Sequence, residues 1–138
     1  MTKKLALFLL FTHFLNAREL IVIADKNFHK DHLTEQEIKA FFLDKTHFIN
    51  GERVLVMNRK YGNSLRVCFE KLILHKNKSA LERYWQKSYY QGGRPPKVIE
   101  STQMLFAYLQ NITPSVGYID KKELQQHDVK VLYRSQCP

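Results

Sequence analysis

The run ELIVIA, residues 19–24, sets the first constraint on this chain, because five apolar residues follow Glu19 without a polar interruption. A strand with one wet face alternates apolar and polar residues, so an unbroken run belongs to a strand covered on both faces. Such a strand needs a layer of other elements on either side. The rest of the chain supplies those layers, alternating helical stripes with further strand-like runs.

The first helix start is unusually complete. In LTEQEIKAFF, residues 33–42, Thr34 is placed to cap the helix and Glu37 to close a capping box, while Leu33 and Ile38 form a hydrophobic staple. Ile38, Phe41 and Phe42 then mark the face turned to the core. HFINGE turns at Asn50-Gly51, and RVLVMN, residues 53–58, reads as a second strand. Next, RKYGNSLR, residues 59–66, leads into a helix with Leu65, Cys68, Phe69, Leu72 and Ile73 on one stripe, running to about His75. A third helix is expected from Ser79, boxed by Glu82, through Leu81, Tyr84, Trp85 and Ser88. The glycines and prolines of YYQGGRPP end it. KVIES follows as a short strand, and Ser101 caps a fourth helix with the stripe Met104, Leu105, Tyr108, Leu109 and Ile112. VGYID and VKVLYR complete the order βαβααβαββ. This is an α/β chain, and strands separated by helices are expected to pair in parallel through right-handed crossovers.

Residues 1–17 stand apart from this pattern. Lys3 and Lys4 precede the apolar run from Leu5 to Leu15, and Ala17 precedes the expected cut, so the segment reads as a signal peptide with a single domain over 18–138. The run is too short to span a bilayer, and no membrane span is expected in the mature chain. The product is expected to be periplasmic or secreted. Losing Lys3 and Lys4 leaves twenty Lys and Arg against thirteen Asp and Glu in 121 residues, a formal charge of +7. Export argues against a nucleic-acid partner, and the positive charge is dispersed. Two cysteines, Cys68 and Cys137, lie in the mature part. They can form a disulfide in an oxidising compartment, or Cys68 can serve as plain core on its helical stripe.

Catalytic patterns are missing. His29 and His32 lack a third ligand at metal-site spacing. Ser64 lacks the G-x-S-x-G setting of a hydrolase nucleophile, and no paired carboxylates suit acid–base work. The sequence carries no nucleotide loop. No enzyme, cofactor or metal is expected. What remains is the turn before the second helix, where free backbone N–H groups and the guanidinium groups of Arg59 and Arg66 can meet an anion. Such a turn lies beyond the carboxyl end of a strand, where ligands of open α/β sheets bind. The plain alternative is that these cations face water.

Taken in order, LTEQEIKAFFLDK, FINGERVLVMNR, SLRVCFEKLIL, LERYWQKSYYQGGRPPKVIES and TPSVGYID resemble short secreted proteins related to the substrate-binding components of phosphate ABC transporters. The resemblance runs from about Leu33 to Asp120. It implies the type 2 periplasmic binding protein fold, here as one three-layer lobe with a mixed, mostly parallel sheet flanked by helices. Full binding proteins of this kind close two lobes on the ligand. The resemblance also implies a ligand set: Arg59 matches the family's arginine, and Asn63-Ser64-Leu65 stands where a Ser-Gly-Thr helix start is usual. Asp44 stands where glycine is common, and Phe48 where tryptophan is common. The expected site is therefore Arg59, Asn63, Ser64 and Arg66, with phosphate or sulfate as ligand and a transport or sensing system, such as an ABC transporter, as partner. The alternative is a non-catalytic scaffold that binds another periplasmic protein through the former cleft face, where Tyr61, Tyr89 and Tyr90 would be exposed.

Overall fold

The computed structural model describes residues 18–125 and 127–138; the signal-peptide reading of 1–17 lies outside them. Its centre is a five-stranded sheet of β1 (Glu19–Asp25), β4 (Leu55–Asn58), β5 (Lys97–Val98), β6 (Ser115–Asp120) and β7 (Val129–Gln136), in the order β5-β4-β6-β1-β7. β2 (Phe48–Ile49) and β3 (Glu52–Arg53) form a separate hairpin, turning at Asn50 and Gly51 with φ of 50° and 80°. That pair of positive φ values is the reason for Asn-Gly at this turn.

β4 runs parallel to both β5 and β6. β1 runs against β6 and β7, so four of the five strands share one direction. The antiparallel β1 departs from the simple parallel expectation. Consecutive strands β6 and β7 do not pair with each other, because β1 lies between them. Every residue of β6 and all but Glu19 of β1 is buried, as the unbroken apolar run requires.

Helices cover both faces. α1 (Glu35–Phe42), α2 (Ser64–Phe69) and α3 (Lys78–Tyr89) pack with Leu20, Val22 and Tyr118 on one side. α4 (Thr102–Asn111) packs with Ile21, Ile23, Met57 and Ile119 on the other. α1 starts with the Thr34–Glu37 capping box and α4 with Ser101 accepting from the Met104 N–H. α3 is instead capped two residues before Ser79: Asn77 is the cap and accepts from the Ala80 N–H at 2.9 Å. The fourth helix also buries Phe106 in place of Met104 and Ile112, which stay more than a third exposed. After Phe69 the second helix widens into a π-wound turn, Glu70–Leu74, which brings Leu74 rather than Leu72 into the fully buried set beside Ile73.

Two local features follow from unusual residues. Asp44 adopts φ of 58°, a left-handed conformation that explains why glycine suits this position. Its carboxylate accepts from the Arg94 N–H at 2.7 Å and lies 2.6 Å from His47 Nδ1, tying two loops together. At Gly117 a Cβ would stand 2.6 Å from Leu105 Cδ1, so the missing side chain lets α4 close on β6. Cys68 and Cys137 are joined by a disulfide, with Cα atoms 5.7 Å apart, which fastens the end of β7 to the carboxyl end of α2.

Candidate functional site

The strand order creates a crevice. From β4 the chain crosses to β5 on one side and, after α4, returns to β6 on the other. The helices that follow β4 cover one face, and the helix that follows β5 covers the opposite face. A reversal of this kind leaves an opening beyond the carboxyl ends of the strands. The ends of β4 and β6, the starts of α2 and α4, and the amino end of the antiparallel β1 all meet there. They gather Arg59, Tyr118, Asp120, Ser64, Thr102 and Arg18.

Arg59 is the buried centre of this edge, only 7% exposed. Its Nη1 donates to Thr102 Oγ1 at 3.0 Å, and its Nη2 donates to the Tyr118 carbonyl at 3.2 Å. The same two nitrogens face Glu123, Nη2 to Oε1 at 3.3 Å and Nη1 to Oε2 at 3.5 Å. Nε is buried and has no acceptor among the described residues. Glu123 lies on the short 3₁₀ turn Lys121–Glu123 that follows β6. Its Oε1 also accepts from the Asp120 N–H at 2.9 Å, and its Oε2 accepts from the Thr102 hydroxyl.

The other three expected site residues serve different neighbours. Asn63 caps α2, its Oδ1 accepting from the N–H groups of Leu65 and Arg66 at 3.0 and 3.1 Å. Those two N–H groups, expected to face a ligand, are thus satisfied within the helix start. Ser64 is exposed and its Oγ accepts from Arg18 Nη1. Arg66 is 5% exposed; it donates to Glu70 at 3.0 Å and to the Arg59 carbonyl at 2.6 Å, and its guanidinium lies 3.8 Å from the Tyr61 ring centre. Arg66 therefore braces the Arg59 backbone from within.

Arg18, Thr102, Asp120 and Glu123 were not singled out from the sequence. Asp-Lys-Lys-Glu at 120–123 does carry a capping-box spacing, and Arg66 and Glu70 stand at i and i+4, so two of these carboxylate contacts had local signals. Arg18 donates to Asp120 at 2.8 Å. Burial raises the pKa of Asp120, but the Arg18 hydrogen bond, the Lys122 N–H and both cations outweigh it and hold the carboxyl below its ordinary value. The edge thus balances three guanidinium groups, Arg18, Arg59 and Arg66, against the carboxylates of Asp120, Glu123 and Glu70.

Behind the crevice lies an aromatic floor. The rings of Phe69 and Tyr118 stack with centres 4.2 Å apart, and Tyr118 donates to Asn58 Oδ1. Asn58 Oδ1 also accepts from the Arg59 N–H at 2.8 Å, so floor and arginine share one anchor. Burial pushes the Tyr118 phenol well above its ordinary value of 10.0, against the opposing pull of the Arg59 N–H and of the two arginine charges. A raised folded-state value means that the stability is fully present below about pH 10 and is lost above it, as the unfolded chain ionises first. Alkaline unfolding, followed by circular dichroism, is expected to show a shallower decline in Tyr118→Phe than in the wild type. Equal slopes would remove Tyr118 as the cause.

Among the described residues no group of three or more His, Cys, Asp and Glu is placed to hold a metal, and no helix is long and apolar enough to cross a membrane. His29 and His32 are both exposed.

No family model matches the sequence, and no curated protein matches it. Solved structures do share the fold. An ABC-type phosphate transport receptor from Vibrio cholerae superposes with a TM-score of 0.65 at 16% identity, over 84% of this chain and 46% of that one. A phosphate ABC transporter substrate-binding protein from Clostridium perfringens, solved with bound phosphate, gives 0.67 at 17% identity, over 84% and 45%. PstS from Borrelia burgdorferi gives 0.64 at 16% identity, over 84% and 47%. The chain spans less than half the length of each. At these identities the likeness is one of architecture: the mixed, mostly parallel sheet flanked by helices has the fold of one lobe of these substrate-binding proteins.

Proposed function

We propose that the chain is an exported, non-catalytic binding lobe that takes a small oxyanion, phosphate or sulfate, at the Arg59 crevice, in the service of a transport or sensing system. The observation that carries this reading is the convergence of donors on one oxyanion group. Two guanidinium nitrogens, a hydroxyl and a backbone N–H all address the carboxylate of Glu123 at the mouth of a sheet crevice. A set of donors that accepts a carboxylate has the chemistry to accept phosphate or sulfate. The fold shared with phosphate-binding structures supports it, and the Cys68–Cys137 bond suits an oxidising compartment, as the leader-like residues 1–17 do. Within the site Arg59 is the principal donor. Arg66 and Asn63 hold the loop that carries it, and Ser64 and Arg18 form the rim.

One lobe leaves a ligand partly open to water, which screens charge-assisted bonds, so the affinity is expected in the millimolar range. A ligand bound only by the folded state raises the thermal midpoint by mass action, adding about 1.4 kcal/mol at ten times Kd. Titrating phosphate and sulfate to tens of millimolar is expected to raise the midpoint by about 5 °C in the wild type. Arg59→Ala is expected to abolish the rise. A flat response of the wild type to both anions would sink the reading; a rise that survives Arg59→Ala would sink the choice of residue.

A second reading has its own observation. Tyr61 and Val67 are 60% and 58% exposed along a groove of about 770 Å³ that also carries Lys71, Lys76 and Lys78, while Tyr89 and Tyr90 are 75% and 89% exposed. Exposed aromatics suit a face that docks another protein. In that case the lobe would be a scaffold, and the crevice network would be structural. Tyr61→Ala would then weaken partner capture, and the wild type would show no thermal response to phosphate or sulfate.

A further inference from the structure

We propose that Glu123 is a tethered competitor: its carboxylate occupies the oxyanion position of the Arg59 crevice, and an external oxyanion binds by displacing it. The inference rests on the reading of this crevice as the anion site and adds how access to it is set.

The two partners differ in how firmly they are placed. Arg59 is anchored by Thr102 and by the Tyr118 carbonyl, its backbone carbonyl is clamped by Arg66, and its side chain is only 9% exposed. Glu123 sits on a single 3₁₀ turn at the rim, with its side chain 24% exposed. A rotamer change would carry the carboxylate into water without moving a strand or helix. Arg59 has no comparable way out.

Glu123 also fits the crevice imperfectly. Its two bonds to Arg59, at 3.3 and 3.5 Å, are longer than the 2.7–2.9 Å usual for charge-assisted pairs. Arg59 Nε remains buried without an acceptor among the described residues. In its crevice position the carboxylate is engaged by the Asp120 N–H and the Thr102 hydroxyl and does not serve that nitrogen. A free tetrahedral anion approaches on its own terms and carries more acceptor oxygens.

The capping box explains only part of the arrangement. It requires Oε1, which accepts from the Asp120 N–H, but not Oε2, which meets Thr102 and Arg59. A carboxylate that the fold holds beside the arginine competes as an intramolecular ligand, and an effective concentration about ten times its own dissociation constant weakens an external anion about ten-fold. Ligand chemistry then follows from the donors: a compact dianion with several oxygens displaces Glu123 better than a monocarboxylate of the same charge as Glu123 itself.

The test is calorimetric titration of phosphate, sulfate and acetate into the wild type, Glu123→Ala and Glu123→Gln, with circular dichroism to confirm folding. Both variants are expected to bind phosphate or sulfate at least ten-fold more tightly than the wild type, and acetate more weakly than either. Glu123→Gln keeps the side-chain size and an oxygen for the Asp120 N–H, so it serves if the alanine variant does not fold. Adding Arg59→Ala to Glu123→Gln is expected to remove the gain. If the wild type binds and the folded variants bind no more tightly, competition is overturned while the anion site stands. If neither wild type nor variants bind, the anion reading falls and the competitor role with it. A gain that survives the added Arg59→Ala places binding elsewhere and also overturns the inference.

Discussion

Glu123→Ala is expected to lower the unfolding free energy by about 3 kcal/mol in anion-free buffer, because it leaves a buried guanidinium without its counter-charge. Arg59 is 7% exposed and would keep only Thr102 and the Tyr118 carbonyl as partners. Truncating one member of a buried pair costs more than the pair itself contributes, since the survivor keeps its desolvation penalty. The double variant Arg59→Ala/Glu123→Ala removes both charges and should lose less than the sum of the single losses. A coupling of at least about 1.5 kcal/mol in a urea double-mutant cycle is the expected result. Additive losses would mean that Arg59 and Glu123 do not form an energetic unit. Phosphate offers a second readout, because an anion that replaces the missing carboxylate should restore part of the stability of Glu123→Ala and none of that of the double variant.

The same residues mark how far the sequence could be read. Helix starts at Thr34 and Ser101 were legible because a cap acts within three residues and needs no tertiary partner. At the third helix two cap-forming residues, Asn77 and Ser79, stand in one short polar stretch, and local chemistry alone did not choose between them. The insertion of β1 between β6 and β7 had no local signal, since it is decided by pairing across about a hundred residues. That insertion is also what brings Arg18 to the crevice. For the site, the turn before α2 and the place of Arg59 beyond the carboxyl end of a strand were legible, but its burial was not. The partner that occupies Arg59 was not, because Glu123 lies 64 residues away and reaches it only once β4 and β6 pair. Arg66 shows the opposite case: its Glu70 partner stands one helical turn on and could be read from spacing.

Removal of the disulfide, by Cys68→Ala/Cys137→Ala or by a reductant, is expected to cost about 4 kcal/mol and to lower the thermal midpoint by roughly 15 °C. The loop that the bond closes spans a sequence separation of 69, long enough for a large loss of unfolded-state entropy. Its position gives the effect a direction. Among the described residues β7 is an edge strand that pairs only with β1, and of its eight residues only Leu132 is fully buried. Side-chain burial alone therefore holds it weakly, and the bond from Cys137 to α2 supplies the missing attachment beside the Cys137 N–H donation to the Arg18 carbonyl at 2.7 Å. Without the bond, β7 should open before the rest of the sheet, and hydrogen exchange should rise first along residues 129–136. Loss of β7 bares the second edge of β1, a row of unpaired backbone groups along the apolar run of residues 20–24, so the reduced protein is also expected to aggregate near its midpoint. A midpoint that moves by less than about 3 °C would mean that the sheet retains β7 through backbone pairing alone, and that the bond constrains little of the unfolded chain.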